Sequence, residues 1–280
     1  MITQAIRRHQ ILINGHPAVK GVKPRPGDKI DLLALKEQSD NRVQPNPSIK
    51  IDLLYEDELL LAVNKPAGIP VQPLDSEDRR TLMSGLVARY PELASVGDLP
   101  LMAGALHRID TETSGLVLAA RTEAAFEAMR EQFARRTIRK IYWALVEGVV
   151  QQEGDLVHNL VHHPQMKSCK MVDARDFPPG SCGRIFLAET LYRPIRTFRD
   201  TTLLEVTIYS GVTHQIRAQL SLAGFPIVND LLYGARPRPP LTRHLLHACS
   251  ATFNHPGKGC SCTLKAPLCP DFQSYLERLV

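Results

Sequence analysis

One segment of the chain, residues 107–115, combines residue types that could carry out nucleophilic or acid–base chemistry. It reads His-Arg-Ile-Asp-Thr-Glu-Thr-Ser-Gly and leads into an apolar run. The neighbouring Arg108 and His107 favour the ionised form of Asp110, and an ionised carboxylate can act as a nucleophile or as a base. A structural ion pair at the mouth of a strand would give the same pattern, so this segment alone leaves both interpretations open.

Four further blocks contain polar residues at the ends of apolar runs. The first is residues 55–58 with the turn Asn-Lys-Pro-Ala-Gly at 64–68, and the second is Lys-Ile-Tyr-Trp-Ala-Leu-Val-Glu-Gly at 140–148. The third is Gly-Val-Thr-His-Gln-Ile-Arg at 211–217 with 224–227 and 230–234, and the fourth is 246–248 with 255–256 and 266–267.

Together these blocks resemble the signatures of the RluA-type pseudouridine synthases, in the same order and from about Ile51 to about Phe272. The resemblance implies an α+β fold with a mixed, largely antiparallel central sheet and a catalytic cleft. It implies an isomerase that converts one or more uridines in ribosomal or transfer RNA to pseudouridine without a cofactor. It also implies that Asp110, Tyr142 and Arg217 are the catalytic residues.

The implied reaction breaks the C1′–N1 glycosidic bond, rotates the base and rejoins it through C5. The target base must first be flipped out of the RNA stack, and Arg108 is the candidate to occupy the vacated position. Asp110 then attacks the sugar or the base, or removes a sugar proton, and the sequence leaves all three open. We expect Tyr142 to stack beneath the flipped uracil and assist removal of the C5 proton, and Arg217 to hold Asp110 ionised and aimed.

The position of Arg217 on a predicted helix also indicates that this residue has an anionic partner. A helix starting near residue 213 places Ile216 and Leu220 on one apolar stripe, and Arg217 lies about 60° from Leu220, at the margin of that stripe. An arginine at the edge of a core needs an anion, because an unpaired buried charge is costly. The resemblance implies that this anion is Asp110.

Four more residues of the signatures are candidates for contact with the RNA substrate. His107 and Thr113 flank Asp110, and His214 and Gln215 precede Arg217. The last two can instead bond the backbone of their own loop, which would make them supporting residues.

Val212 departs from the family pattern, which usually has Arg or Lys at this position. We therefore expect a phosphate contact to be missing here or to be supplied by another residue.

The positive charge of the chain is concentrated near its start. Residues 1–36 carry seven Lys or Arg against two Asp, a net charge of +5 that equals the net charge of the whole chain. Such a basic appendage is typical of a segment that contacts phosphates. A solvated surface with no ligand is the alternative, since short basic runs are common.

Part of this segment resembles the second half of a small RNA-binding module known from a ribosomal small-subunit protein, with an Asn14-Gly15 step that predicts a tight turn. We therefore predict a truncated RNA-binding appendage at 1–36, in which Lys20, Lys23 and Arg25 contact RNA. A linker rich in Asn, Gln, Pro and Ser follows at 37–50, and a catalytic domain occupies 51–280.

Apolar runs predict strands at 59–63, 116–119, 141–146 and 203–209. Thr122 can cap a helix that carries Phe126, Met129 and Phe133 on one stripe.

A basic cluster follows that stripe and precedes Tyr142; it consists of Arg130, Arg135, Arg136, Arg139 and Lys140. A basic rim beside an aromatic residue suits a groove that binds a phosphate backbone and stacks an unpaired base. A solvated helix end whose cations complement the helix dipole is the alternative.

Composition places limits on other functions. With 280 residues and 44% hydrophobic content, the chain can form one large core. The sequence has no apolar run long enough to span a membrane and no signal-peptide pattern, so we expect a cytoplasmic protein, as a monomer. No glycine-rich nucleotide loop is present, and we expect no nucleotide cofactor.

The cysteines are more typical of reduced thiols than of a disulfide framework. Four residues near the end of the chain are possible zinc ligands: His255, Cys260, Cys262 and Cys269. Their spacing is poor for zinc. A group of histidines at 158, 162 and 163 near Cys169 is weaker still. We therefore expect no metal.

Two other functions remain as alternatives. One is a non-catalytic RNA-binding or ribosome-assembly factor with the same fold. The other is a glycosidase-like hydrolase, which would need a second carboxylate as proton donor. Glu112 is close to Asp110 in sequence but has no independent support for that role.

Overall fold

The computed structural model describes residues 5–6, 9–33, 42–164, 170–178, 180–181 and 183–279. They fall into two compact units, residues 1–42 and residues 43–280. The boundary lies inside the segment predicted as a linker, because Val43 is only 2% exposed and its N–H donates to the carbonyl of Pro100 at 3.3 Å. The larger unit therefore begins before the predicted start at residue 51.

The smaller unit contains a short antiparallel sheet of β1 (Ile11–Ile13), β2 (His16–Pro17) and β3 (Ile30–Leu32) in the order β2-β1-β3. Asn14 and Gly15 form the predicted turn, with φ values of 53° and 78°. A two-residue hairpin turn of this kind requires positive φ at both positions. The Asn14 side chain donates to Asp28 at 2.8 Å and accepts from the N–H of Lys29 at 2.9 Å, which joins this turn to the segment before β3.

A ten-stranded sheet runs through the described part of the larger unit. Its strands are β4 (Leu53–Glu56), β5 (Leu60–Lys65), β6 (Ser114–Ala120), β7 (Arg139–Glu147), β8 (Gly154–His162), β9 (Met171–Asp173), β10 (Phe186–Thr197), β11 (Thr201–Ile208), β12 (Leu246–Asn254) and β13 (Ser261–Lys265). Their order is β4-β5-β6-β12-β7-β11-β10-β8-β9, and β13 pairs with β12.

Among the described residues, every strand pairing of this sheet is antiparallel except that of β6 with β12. The four predicted strands fall on β5, β6, β7 and β11. β6 is buried along its whole length, which explains its continuous apolar run. The predicted α+β fold with a largely antiparallel sheet is thereby confirmed.

Four helices accompany the sheet in the described residues: α1 (Leu82–Arg89), α2 (Glu123–Ala134), α3 (Gln215–Leu222) and α4 (Pro270–Arg278). Short 3₁₀ turns occur at Pro91–Ser95, Ala174–Asp176 and Leu231–Tyr233. No helix within these described ranges is both long enough and apolar enough for a membrane crossing.

The start of α2 follows from its sequence. The Thr122 hydroxyl accepts the N–H of Ala125 at 3.2 Å, which satisfies a donor that the first helical turn leaves free. Phe126 and Met129 are fully buried against the sheet, and Phe133 packs at the edge of the same cluster. Both the predicted cap and the predicted apolar stripe are confirmed.

Gly115, at the start of β6, allows the two central parallel strands to approach closely. It has a φ of +111°, and a Cβ at this position would collide with the backbone carbonyl of Ala248 on β12. Only glycine meets both requirements. The loop that carries Asp110 therefore enters the sheet at a fixed point.

Candidate active site

Asp110 lies in the loop before β6, with its side chain 25% exposed. Its backbone carbonyl accepts the N–H of Thr113 at 3.0 Å, which forms a turn. Its Oδ2 accepts a hydrogen bond from Nη1 of Arg217 at 2.8 Å. Its Oδ1 has no hydrogen bond to any residue that the structure describes. One carboxylate oxygen is therefore held by the protein, and the other can meet a substrate.

Arg217 comes from α3 and is 7% exposed. Its Nε and Nη2 donate to the two carboxylate oxygens of Asp230, at 2.7 and 2.9 Å. Burial acts to lower the pKa of Arg217, but the hydrogen bonds and charges of Asp230 and Asp110 raise it above its usual value. The structure thus brings Arg217 to Asp110, and a second carboxylate fixes the plane of its guanidinium.

Sequence reasoning did not identify Asp230 as a partner of Arg217. Asp230 is 2% exposed and precedes the 3₁₀ turn Leu231–Tyr233. Asp230 belongs to the signature block 230–234, which indicates a functional role. No sequence periodicity relates it to an arginine 13 residues away.

Tyr142 lies on β7, opposite Val206 of β11 and Ala248 of β12. It is 6% exposed. Burial, followed by the charge of Asp110, raises the pKa of Tyr142 well above its usual value. Among the residues described, none forms a hydrogen bond with its hydroxyl. The neutral phenol of Tyr142 therefore lies close enough to the Asp110 carboxylate for the negative charge of Asp110 to raise its pKa.

His214 and Tyr233 form another side of the site. Nδ1 of His214 lies 3.1 Å from the Tyr233 hydroxyl, and its Nε2 lies 3.9 Å from Oδ2 of Asp110. Burial lowers the pKa of His214 although the charge of Asp110 acts to raise it. The guanidinium carbon of Arg217 lies 5.1 Å from the centre of the Tyr233 ring, at cation–π distance. Tyr233 was not among the predicted site residues.

Lys65 was also missed, because a lysine in a turn is normally expected at the surface. It is fully buried, and its Nζ donates to the carbonyls of Pro66, Ile69 and Thr111 at 2.8, 2.8 and 2.9 Å. Burial lowers its pKa to about 7. The N–H of Gly68 also donates to the Thr111 carbonyl, at 2.9 Å. The Asn-Lys-Pro-Ala-Gly turn therefore holds the residue that follows Asp110.

The structure places His107 and Thr113 within the framework behind the loop, although both were predicted to contact RNA. Nε2 of His107 accepts the N–H of Leu118 at 3.1 Å. Burial and the nearby Lys140 ammonium lower the pKa of His107 to about 3. Thr113 is 1% exposed, and its hydroxyl lies 3.0 Å from Nε2 of His244. Each side chain forms a hydrogen bond within the protein, and these contacts support the loop that carries Asp110.

Gln215 is likewise engaged internally. Its Oε1 accepts from the Ser210 hydroxyl at 2.8 Å and from the N–H of Val212 at 3.1 Å. Its Nε2 donates to the carbonyl of Glu189 at 2.8 Å and to the hydroxyl of Thr190 at 3.1 Å. The structure therefore supports the alternative for this residue, bonding of its own loop.

Arg108 is exposed on the wall of a cavity of about 420 Å³. Val212 lines the same cavity, and it packs against an apolar cluster that contains Met171 and Ala188. The complete lining is Arg108, Phe133, Ala134, Arg136, Phe186, Ser210, Gly211, Val212 and Thr213.

The predicted basic cluster is only partly a surface feature. Arg130, Arg135, Arg136 and Arg139 are exposed, but Lys140 is 5% exposed and its Nζ donates to the Ser210 carbonyl. Including Lys140 in an exposed rim was wrong, because alternate residues of β7 face the core and Lys140 lies on the same side as Tyr142.

Lys20, Lys23 and Arg25 are exposed residues of the smaller unit. The backbone N–H of Arg25 donates to Asp28 at 2.7 Å, which leaves its guanidinium out of that turn.

Two of the four possible zinc ligands make other contacts. Nε2 of His255 lies 2.8 Å from Oδ2 of Asp57, and Sγ of Cys269 lies 3.0 Å from the Ser114 hydroxyl. Within the described ranges, no group of three or more His, Cys, Asp or Glu is arranged to hold a metal ion. The cysteines at 249, 260, 262 and 269 are free, whereas Cys169 and Cys182 lie outside the described residues.

Comparison with known proteins identifies the family. The RNA pseudouridylate synthase family model matches residues 59–222. The RNA pseudouridine synthase YlyB of Bacillus subtilis is 30% identical over 279 residues, which cover 99% of this chain and 88% of that protein. Ribosomal large subunit pseudouridine synthase D of Pseudomonas aeruginosa is 31% identical over 284 residues, which cover 95% and 84%.

A solved structure has the same fold. Human RNA pseudouridylate synthase domain containing 4 aligns with a TM-score of 0.64 and 23% identity, over 81% of this chain and 92% of that one. Since the family model covers more than half of the chain and the relatives extend over nearly all of it, the chain belongs to the RNA pseudouridylate synthase family and is an RNA pseudouridine synthase, an isomerase.

Proposed function

We propose that this enzyme converts uridine in large-subunit ribosomal RNA to pseudouridine, with Asp110 as the reacting carboxylate. One observation carries the assignment to Asp110: a partly exposed carboxylate has one oxygen bonded to a buried arginine and its other oxygen free of protein partners among the described residues. The choice of ribosomal RNA rests on the printed names of relatives such as that of Pseudomonas aeruginosa.

The reaction exchanges one glycosidic bond for another. The C1′–N1 bond breaks, the uracil turns within the site, a C1′–C5 bond forms, and the C5 proton leaves while N1 gains a proton. Asp110 begins this sequence by attack on the sugar or the base, or by removal of a sugar proton. All three routes use the Asp110 carboxylate, and the Arg217 guanidinium holds its Oδ2 at 2.8 Å.

Arg217 acts as a positioning residue. Its two bonds to Asp230 set the orientation of the guanidinium before substrate binds, so that the remaining Nη1 points at Asp110. Such preorganisation keeps the reacting oxygen in place during the rotation of the base.

Tyr142 provides an aromatic face for the flipped uracil. Because burial and the charge of Asp110 raise the pKa of Tyr142, its hydroxyl stays protonated at physiological pH. It can therefore assist loss of the C5 proton only by passing a proton on, and Asp110 is the adjacent carboxylate that can receive one.

The Arg108 side chain inserts into the RNA base stack at the position that the flipped target uracil leaves. Its side chain is exposed and lies two residues before Asp110 in the same loop, so it is next to the position that a flipped base vacates. In the smaller unit, Lys20, Lys23 and Arg25 bind phosphates of the RNA, which adds affinity without chemistry.

A tritium-release assay tests the proposal. Large-subunit ribosomal RNA labelled with [5-³H]uridine is incubated with the enzyme, and isomerisation releases tritium to water. A glycosidase would instead free uracil, and a non-catalytic binding factor would do neither. Release from ribosomal RNA but not from transfer RNA supports the proposed substrate, and the reverse result would overturn it.

Pseudouridine mapping supplies the test in cells. Ribosomal and transfer RNA from cells with and without this enzyme are compared, and the proposal requires that at least one large-subunit position loses its pseudouridine.

A further inference from the structure

The cavity beside Arg108 is a feature that the reaction on a single uridine does not use. It is about 420 Å³ in volume, within the size range of small-ligand sites. We call it the side pocket. It is lined by Arg108, the end of α2, Phe186 at the start of β10 and the loop 210–213, which we call the floor. Arg108 also belongs to the Asp110 loop, so the side pocket and the active site share a wall.

The side pocket is electropositive. Arg108 and Arg136 are exposed on its rim, and neither forms an ion pair with a described residue, whereas the adjacent Arg135 pairs with Glu131 at 2.6 Å. None of the described lining residues is acidic. Two arginines without counter-ions around one recess attract an anion.

A buried cation lies beneath the floor. The Nζ of Lys140 donates to the Ser210 carbonyl, and a Cβ on Gly211 would lie 3.5 Å from that Nζ. Gln215 fixes the same loop through Ser210 and Val212. The floor is thus a rigid backbone segment above a positive charge, which strengthens the attraction for an anion in the recess.

The backbone of Arg136 is unusual for its residue type. It has a φ of +55° immediately beyond the end of α2, a position where glycine or asparagine is the common choice. An arginine in this conformation is disfavoured. Its backbone N–H donates to the carbonyl of Phe133 at 3.1 Å, which fixes the backbone at this position, and Arg136 lines the side pocket.

The side pocket also has aromatic surfaces. Phe133 and Phe186 are half-buried, and both line it. The guanidinium carbon of Arg184 lies 5.1 Å from the centre of the Phe186 ring, and the centre of the His162 ring lies 6.1 Å from it. A base can therefore contact only the part of Phe186 that lines the side pocket. A recess with cations on the rim and aromatic rings in the wall matches the two parts of a nucleotide, since phosphates bind arginine and bases stack on aromatic rings.

From these observations we infer that the side pocket binds one nucleotide of the RNA strand next to the target uridine, with its phosphate on Arg136 and its base against Phe186. The inference rests on the proposed function, because the strand must continue from the active site past the shared wall at Arg108. It makes this pocket a determinant of which RNA is accepted.

Binding to two probes tests the two halves of the site. The probes are a fluorescein-labelled oligouridylate and an abasic ribose-phosphate chain of the same length. Arg136→Gln should weaken binding of both by about tenfold, as expected for a lost hydrogen bond to a charged group. It should also reduce the slope of log affinity against log salt by about 0.7. Phe186→Leu should weaken oligouridylate binding by at least about fivefold and leave the abasic chain unaffected.

Arg135→Gln is the matched control, because it removes the neighbouring charge outside the side pocket. If Arg136→Gln and Arg135→Gln change affinity and salt slope equally, the rim is only a solvated helix end and the inference is wrong. If Phe186→Leu affects both probes alike, or neither, no base is bound against that ring and the nucleotide assignment fails.

Tritium release separates this inference from the proposed function. Arg136→Gln and Phe186→Leu should raise KM for labelled ribosomal RNA and leave kcat within about twofold, since neither residue contacts the reacting uridine. If the wild-type enzyme releases no tritium, the proposed function fails. The binding experiments still decide whether the side pocket binds a nucleotide. If the wild type is active and both variants keep its KM, only the side pocket is refuted.

Discussion

Arg217 is bound more extensively by Asp230 than by Asp110. Asp230 accepts two of its hydrogen bonds, at 2.7 and 2.9 Å, and is almost completely buried, whereas Asp110 accepts one at 2.8 Å. The Asp230 carboxylate therefore anchors the guanidinium, and the guanidinium in turn orients the partly exposed carboxylate of Asp110. This chain of contacts leads to separate expectations for each member.

Asp110→Asn should abolish tritium release while leaving the fold and RNA affinity nearly unchanged. The amide keeps the shape of the side chain but removes the charge on which every route of the proposed reaction depends. Tritium release from labelled ribosomal RNA and a thermal melt check this expectation, with Asp52→Asn as a control outside the site. A rate within about tenfold of the wild type would falsify the assignment.

Arg217→Ala should lower both turnover and the free energy of unfolding, the latter by about 3 to 5 kcal/mol, because it leaves two carboxylates of a buried cluster without a cation. Arg217→Lys restores the charge but not the fork geometry, so it should recover stability more than activity. Urea denaturation and tritium release measure the two effects. Unchanged values for Arg217→Ala would show that this contact does not matter in solution.

Tyr142→Phe should keep RNA binding and reduce tritium release by about a hundredfold, because the ring remains and the proton-transferring hydroxyl is lost. A raised pKa means that the wild-type phenol stays protonated through pH 10.0, the ordinary value for tyrosine. The rate should therefore show no tyrosine ionisation step up to that pH. A step at the ordinary value that Tyr142→Phe removes would contradict the observed environment.

His107 should make the fold sensitive to acid. Its pKa is about 3 in the folded chain against an ordinary 6.5, so below pH 6.5 the unfolded chain binds a proton that the folded chain excludes. The stability present above pH 6.5 is then lost as the pH falls towards 3, by up to about 1.4 kcal/mol per pH unit. His107→Gln should remove the share of one proton from this dependence in urea titrations, whereas His16→Gln, at an exposed position, should not. The remainder belongs to other histidines such as His244 and His247, whose pKa values burial also lowers. Equal acid sensitivity in both variants would assign the loss to other groups.

Replacement of four cations by Gln should weaken RNA binding and flatten its salt dependence without lowering turnover at saturating RNA. The four are Lys20, Lys23, Arg25 and Lys29. These cations are exposed in the smaller unit, and each lost phosphate contact reduces the log–log slope by about 0.7 to 0.9. Affinity is measured over a range of salt concentrations with labelled ribosomal RNA. An unaltered slope would mean that the basic segment is a solvated face.

Local patterns predicted the elements that depend on local physics. Burial, helix capping and positive φ each leave a signature in neighbouring residues. The sequence therefore predicted the apolar runs on β5 and β6, the Thr122 cap and the Asn14-Gly15 turn. The alternation of exposed and buried residues along β7 also predicts the burial of Lys140, since Lys140 follows the exposed Arg139. The partners of Arg217 were only half predicted, because helical spacing indicates that an arginine is buried without indicating what it meets.

By itself, the sequence determined the fold class, the family and the residue types available for chemistry, because periodicity and ordered signatures are properties of neighbouring residues. Only the tertiary structure decided that Asp230 anchors Arg217, that Lys65 binds the carbonyl of Thr111, and that Arg136 shares a pocket with Phe186. These contacts join residues that are separated in the chain by 13 residues for Arg217 and Asp230 and by 46 for Lys65 and Thr111. Their distances depend on strand order and on the packing of loops, which no local pattern encodes.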